Sequence, residues 1–137
     1  MFAKPNAGWS ELEINEDFSF PASYLTDIPN DFIKALTVAL KDNISTAVTI
    51  DGESHGECIV LFNMYENCVT VIYDIIHGRK IREFYRFTPL EFAKEFIKDI
   101  EDNLNDWNNW MSDDEEEYSF DIDPLKQLVN QISGGNN

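Results

Sequence analysis

Cysteine, histidine and basic side chains are all scarce in this chain. Cys58 and Cys68 are the two cysteines, too few for the disulfide framework of a small secreted domain. Without ligand-spaced company they are expected as reduced, buried residues of a sheet. His55 and His77 are the two histidines; both fall in turn-like sequence, and neither belongs to a zinc motif. A nucleophilic pair of Cys68 with His77, or Cys58 with His55, lacks the electropositive, partly exposed setting that a reactive thiolate needs. Gly52, Gly56 and Gly78 lie between strand-like segments and Gly134 and Gly135 near the end, so there is no phosphate-cradling loop. No apolar run approaches the roughly 20 residues of a membrane span. No N-terminal stretch joins basic, apolar and small-residue regions as a secretion signal does, and the expected location is the cytoplasm. The expectation is a protein that is not an enzyme and holds no cofactor or metal.

The shortage of positive charge is the most informative. Ten lysines and arginines stand against 26 aspartates and glutamates, a formal net charge of −16. That balance argues against binding nucleic acid or an anionic membrane through a basic surface, and it favours fast encounter with a basic protein. Carboxylate pairs are too numerous to single out a glycosidase-like couple. The acidic stretch also lacks the alternating oxygen ligands, central glycine and closing glutamate of a calcium loop.

What is present suffices for one folded domain: 137 residues, 43% hydrophobic and 13% aromatic. The strongest local signal is Thr88, Pro89, Leu90 and Glu91, a capping box with proline at the first helical position. From Phe92, an apolar stripe through Ala93, Phe96, Ile97, Ile100, Leu104, Trp107, Trp110 and Met111 fits one continuous core-facing helix. Beside it Glu91, Glu95, Asp99, Asp102 and Asp106 form a carboxylate arc. No lysine or arginine lies between Asp99 and Leu125, an interval that contains the run Asp113, Asp114, Glu115, Glu116 and Glu117. Nothing local neutralises this charge, so the run is either loose and hydrated or meets positive charge elsewhere. Trp107 and Trp110 before it and Tyr118 and Phe120 after it read in two ways. They are core residues that bring the chain back to the domain, or aromatic anchors within a charged rim.

Upstream, Leu12 and Ile14 alternate with acidic neighbours as in a half-exposed strand, and Pro21 to Pro29 reads as a connector. Phe32, Ile33, Leu36 and Leu40 mark a first helix, entered through Asp27 or Ile28 and Pro29 and ending near Asp42 and Asn43. The period then changes to two at Thr46, Val48 and Ile50. With Glu66 and Asn67 as a two-residue turn, Met64 faces Val69, Phe62 faces Val71, Val60 faces Tyr73 and Cys58 faces Ile75, an apolar face throughout. The same register puts Cys68 opposite Tyr65, too far from Cys58 for a disulfide. A three-residue loop at His77, Gly78 and Arg79 then puts Ile81, Tyr85 and Phe87 on the buried face and Asp74 opposite Arg82. It leaves Glu83 facing inward, which fits poorly. The other sheet face, with Ile59, Leu61, Ile72 and Phe84, is expected to be covered by the N-terminal strand and tail, the alternative being a surface open to a partner. Asp123 and Pro124 open a last short helix through Leu125, Leu128, Val129 and Ile132.

Gly8, Trp9 and Ser10, followed by Ser23, Tyr24, Leu25, Thr26, Asp27, Ile28 and Pro29, together with the acidity and the missing catalytic motifs, give a chain that resembles the immunity proteins of bacterial polymorphic-toxin and contact-dependent inhibition systems. Immunity proteins span many folds and share no active-site motif, so the resemblance transfers no functional residue. It implies a mechanism in which an acidic surface plugs the basic, nucleic-acid-binding cleft of a toxic nuclease.

The expected fold is α+β: an antiparallel sheet of four or five strands with helices on one face, ordered β-α-β-β-β-β-α-α. Residues 1–137 form a single domain with an acidic loop at 113–123 and a flexible tail at 133–137. The expected function is inhibitory binding of a basic protein by a monomer or dimer. Glu91, Glu95, Asp99, Asp102, Asp106 and the run Asp113, Asp114, Glu115, Glu116 and Glu117 steer the encounter, and Trp107, Trp110 and Tyr118 anchor it. Two alternatives stand beside it: a regulatory or scaffold domain that dimerises through its sheet, and an enzyme using unrecognised carboxylates.

Overall fold

Period-two alternation builds two antiparallel sheets, and period-3.6 stripes build the helices that cover one of them. The computed structural model describes residues 1–111 and 118–134. In chain order these form β1 (Trp9–Ile14), β2 (Phe18–Ser23), α1 (Ile28–Asp42), β3 (Thr46–Asp51), β4 (Glu57–Asn63), β5 (Cys68–Ile75), β6 (Gly78–Phe84), α2 (Pro89–Asp102), α3 (Leu104–Asn108) and α4 (Asp123–Gly134). A single 3-10 turn, Glu53–His55, joins β3 to β4. The β1-β2 pair is a sheet of its own, and the second sheet has the order β3-β4-β5-β6. The α+β class and the four-stranded antiparallel sheet are as expected.

Two helices start where local chemistry says they should. The Asp27 carboxylate accepts from Asn30 N–H at 3.3 Å ahead of Pro29, and α1 stops at Asn43, whose left-handed φ of 55° ends it. Thr88 Oγ1 accepts from Glu91 N–H at 3.1 Å at the head of α2. That helix does not run on to Met111 as expected. It ends at Asp102, Asn103 departs from helical geometry (φ −129°, ψ 39°), and α3 begins anew at Leu104. The break turns Trp107 and Trp110 into the core and leaves Leu104 exposed.

The N-terminal region is richer than expected. Phe18, Phe20 and Ala22 are buried in a second strand that pairs with β1, Ile14 opposite Phe18 and Leu12 opposite Phe20. Pro21 is tolerated because β2 has a partner on one side only. Phe2 joins this sheet by a bridge to Leu12, and its ring lies 5.2 Å from that of Phe32 and 6.0 Å from that of Trp107. Around it Phe32, Phe62, Phe92 and Phe96 interlock, with Phe62 edge-on to Phe92 at 4.9 Å. Full burial of each such ring stabilises the fold by about 1.5–3 kcal/mol.

The hairpin registers need two corrections. β4 and β5 pair Phe62 with Val69, Val60 with Val71 and Cys58 with Tyr73, closing through Asn63 and Cys68. The expected register is off by two residues. Because a shift of two restores every side chain to its own face, the apolar pattern could not decide between them. Turn chemistry does: Asn63 Oδ1 accepts from Glu66 N–H at 2.9 Å and Asn67 takes a φ of 54°, which makes a longer turn. At the next hairpin Ile75 pairs with Gly78, so the loop is Ile76 and His77, and Asp74 faces Arg79 instead of Arg82. This odd shift exchanges the faces. Phe84 is buried against Phe18, whereas Ile81 and Tyr85 are 63% and 62% exposed. Glu83 now faces outward opposite Thr70, which removes the misfit.

The helices and the β1-β2 hairpin share the core with the face carrying Val60, Phe62, Val71 and Tyr73. Among the described residues the other face is not covered as expected. Ile59, Leu61 and Ile72 stand there only partly buried and outside the core cluster. Both cysteines are free and buried. Burial, with Asp74 nearby, pushes the Cys58 thiol up to about 12, the opposite of activation.

Candidate functional site

The five carboxylates expected on one helix edge are divided by the break at Asn103. Glu91, Glu95, Asp99 and Asp102 belong to α2 and Asp106 to α3. Glu91 and Glu95 are exposed and, among the described residues, make no ion pair. They line an open cleft of about 690 Å³ with Met1, Glu13, Arg86 and Phe87. Glu13 reaches it because the alternation of β1 sends Leu12 and Ile14 inward and Glu13 outward. That alternation was visible in the sequence as a strand, but nothing local brings β1 beside α2.

The remaining arc is already engaged. Asp99 is partly buried and accepts the Phe2 backbone N–H at 2.9 Å. Burial raises its pKa, and the Phe2 N–H and the chain's amino terminus pull the other way. Asp102 accepts from Lys98 one turn earlier, which raises the lysine's pKa. Asp106 lies 3.9 Å from Lys4, and Glu101 2.8 Å from Lys126. No local cation meets Asp106 or Glu101, and the positive charge comes from elsewhere: Lys4 and Lys126 arrive from distant parts of the sequence. These pairs are solvent-exposed and screened, so they leave much of the negative field in place.

Of the three aromatic anchors, the two tryptophans are not at the surface. Trp107 is 0% and Trp110 2% exposed, their rings 5.1 Å apart. Trp110 Nε1 donates to the Thr26 carbonyl at 2.8 Å. Tyr118 is half-buried; its hydroxyl donates to Asp27 Oδ1 at 2.7 Å, and burial together with Asp27 holds its pKa up. Trp107 and Trp110 are thereby corrected from exposed anchors to parts of the core, because the break after α2 turns them inward, whereas Tyr118 keeps part of its surface. The run Asp113, Asp114, Glu115, Glu116 and Glu117 lies outside the described residues. Its flanks do not: Trp110 is fastened to Thr26 and Tyr118 to Asp27, consecutive residues at the head of α1.

Among the described residues no group of three or more His, Cys, Asp or Glu side chains converges as a metal-ligand set. No described helix is long and apolar enough to cross a membrane. His55 and His77 are exposed turn residues. No family model, curated protein or solved structure matches this chain.

Proposed function

We propose that this protein is a cytoplasmic, bacterial inhibitor of the immunity type, which neutralises a basic toxin domain such as a nuclease by covering it with an acidic surface. The observation that carries the proposal is the exposed set Glu13, Glu91 and Glu95, which make no ion pair among the described residues, around an open cleft shared with Arg86 in a chain of net charge −16. Three carboxylates with one arginine leave this surface in negative excess, which raises the free energy of the folded chain through self-repulsion, and a basic partner relieves it. Asp102, Asp106 and Glu101 extend the field along α2 and α3, with lysines that can exchange partners at little cost. The run Asp113 to Glu117 adds five more carboxylates.

The test begins with identifying the proteins encoded beside this gene and measuring association with any basic one; no association with such a protein counts against the proposal. On-rates are measured at about 0.02 M and 0.2 M salt, where the screening length falls from about 20 Å to below 10 Å. Converting Glu13, Glu91 and Glu95 to glutamine, and separately each carboxylate from Asp113 to Glu117 to its amide, should slow association at low salt and flatten its salt dependence. An on-rate that neither set of substitutions changes at low salt refutes the proposal.

A further inference from the structure

β6 is the last strand of its sheet, so among the described residues one of its edges has no partner. The direction of its peptide groups follows from β5. Val69 N–H donates toward the β6 side, to the Phe87 carbonyl at 3.0 Å. The odd-numbered residues of β5 therefore turn their peptide groups to β6, where Arg82 and Lys80 oppose Val71 and Tyr73. The peptide groups of Arg79, Ile81 and Glu83 then point outward, away from the sheet. Their side chains share the uncovered face, with Ile81 directly opposite the partly exposed Ile72.

We propose that this edge is the site at which a second copy of the chain adds, antiparallel to β6 about a two-fold axis through Ile81, so that the two sheets become one. The argument is self-complementarity. With the axis at Ile81, Ile81 meets Ile81 of the second copy, Arg79 meets Glu83 and Glu83 meets Arg79, and all three positions have outward peptide groups. An axis at Lys80, Arg82 or Glu83 sets like charges face to face. The Arg79 guanidinium is already held on this face, donating to Asp74 Oδ1 at 2.9 Å and lying 3.4 Å from Glu57 Oε2.

Charge at large scale agrees with the pairing. Lys80 and all three arginines of the chain, Arg79, Arg82 and Arg86, lie in the stretch 79–86. In a molecule of net charge −16, this stretch is the part of the sequence where basic residues are most concentrated, so the long-range acidity is locally offset here. On the opposite face the same register sets Lys80 directly opposite Arg82 at two symmetric contacts, a like-charge pairing that Asp17, 3.3 Å from Arg82, offsets. Charged edges normally keep strangers from pairing. This pattern does so while remaining complementary to itself.

The site shares no residue with the acidic surface proposed above, so the two stand or fall separately. Sedimentation velocity over a range of concentrations, at about 0.15 M salt to screen net charge, should show a monomer-dimer equilibrium. Glu83→Arg and Arg79→Glu each set like charges opposite at two symmetric contacts and should weaken the dimer by on the order of tenfold or more. Mixed in equal amounts they should form a heterodimer, because each arm is then paired again. Ile81→Pro removes an outward N–H and no bond to β5, so circular dichroism should stay native while the dimer is lost. If Arg79→Glu unfolds, Glu83→Arg and Ile81→Pro decide the matter. A wild-type chain that stays monomeric overturns the proposal, as does a dimer that survives Ile81→Pro.

Discussion

Replacing each buried tryptophan in turn by phenylalanine separates core from interface. Trp107 and Trp110 are neighbours of equal size and near-equal burial, so the loss of packing on going to phenylalanine is similar and largely cancels in a comparison. Their indole N–H groups differ. Trp110 Nε1 donates to the Thr26 carbonyl, which also accepts from Ile28 N–H at 2.9 Å. Trp110→Phe thus loses one hydrogen bond without orphaning the carbonyl, a loss of about 1 kcal/mol. Trp107 Nε1 is buried with no acceptor among the described residues, and removing an unpaired buried donor returns about 1–3 kcal/mol. Trp110→Phe should therefore destabilise the protein by about 2–4 kcal/mol more than Trp107→Phe.

Urea unfolding followed by far-ultraviolet circular dichroism, with an unchanged m-value, measures this difference without relying on the fluorescence of the residues replaced. Equal losses, or a larger loss at Trp107, would mean that its N–H is satisfied after all. The same two variants, where folded, should bind the partner as the parent does. If the indoles were anchors, partner affinity would instead fall by about 2 kcal/mol or more.

Two further outcomes follow from local geometry. Asp99 has a pKa raised by burial; a carboxyl whose folded pKa lies above its unfolded one weighs against the fold when ionised, and the penalty fades as pH falls through the folded value. Asp99→Asn keeps an acceptor for the Phe2 N–H, so the variant should be at least as stable as the parent at neutral pH in thermal melts, with the gap closing on acidification; a gap that widens toward acid refutes this. Gly56 has a φ of 88°, and a Cβ there would lie 2.4 Å from Asp74 Oδ2, so Gly56→Ala should lower stability by about 2 kcal/mol or more, and an unchanged urea midpoint would contradict it.

What was legible in the sequence is what local chemistry determines. Asp27 with Pro29 and Thr88 with Pro89 locate the starts of α1 and α2, and the alternation of Val48 with Ile50 locates β3. Face assignment in β4 and β5 was legible, but register was not, because the side-chain period of two leaves registers two residues apart equivalent. In β6 the loop length mattered more than the pattern. Arg82 and Phe84 read as one face and Ile81 and Tyr85 as the other, and only the Ile76-His77 turn says which is buried. Phe18, Phe20 and Ala22 do alternate, but Pro21 between them reads as a strand breaker until β2 is known to lack a second neighbour. The exposure of Glu91 and Glu95 was legible from the helix wheel. The engagement of Asp99 by a backbone amide 97 positions away, and of Glu101 by Lys126, has no local signal. The two tryptophans fit core and anchor readings equally, since both need the same spacing, and only burial distinguishes them.

The uncovered sheet face and the carboxylate cleft bear on different problems of the same molecule. α2 packs against the face carrying Phe62 and Val71, and Glu91 and Glu95 project from it into solvent. Arg79, Ile81 and Glu83 lie at the sheet edge with their side chains on the other face. Pairing at β6 would therefore extend the sheet in its own plane and leave α2 and its carboxylates exposed on both copies. Two copies joined in this way carry two acidic surfaces in fixed relation, and a partner with two basic patches at that spacing would bind the pair more tightly than either copy alone, because the second contact is intramolecular. A partner with one basic cleft gains nothing from the pairing. Its affinity should then be the same for the parent and for Ile81→Pro, which makes that single variant a reading of the partner's geometry as well as of the edge.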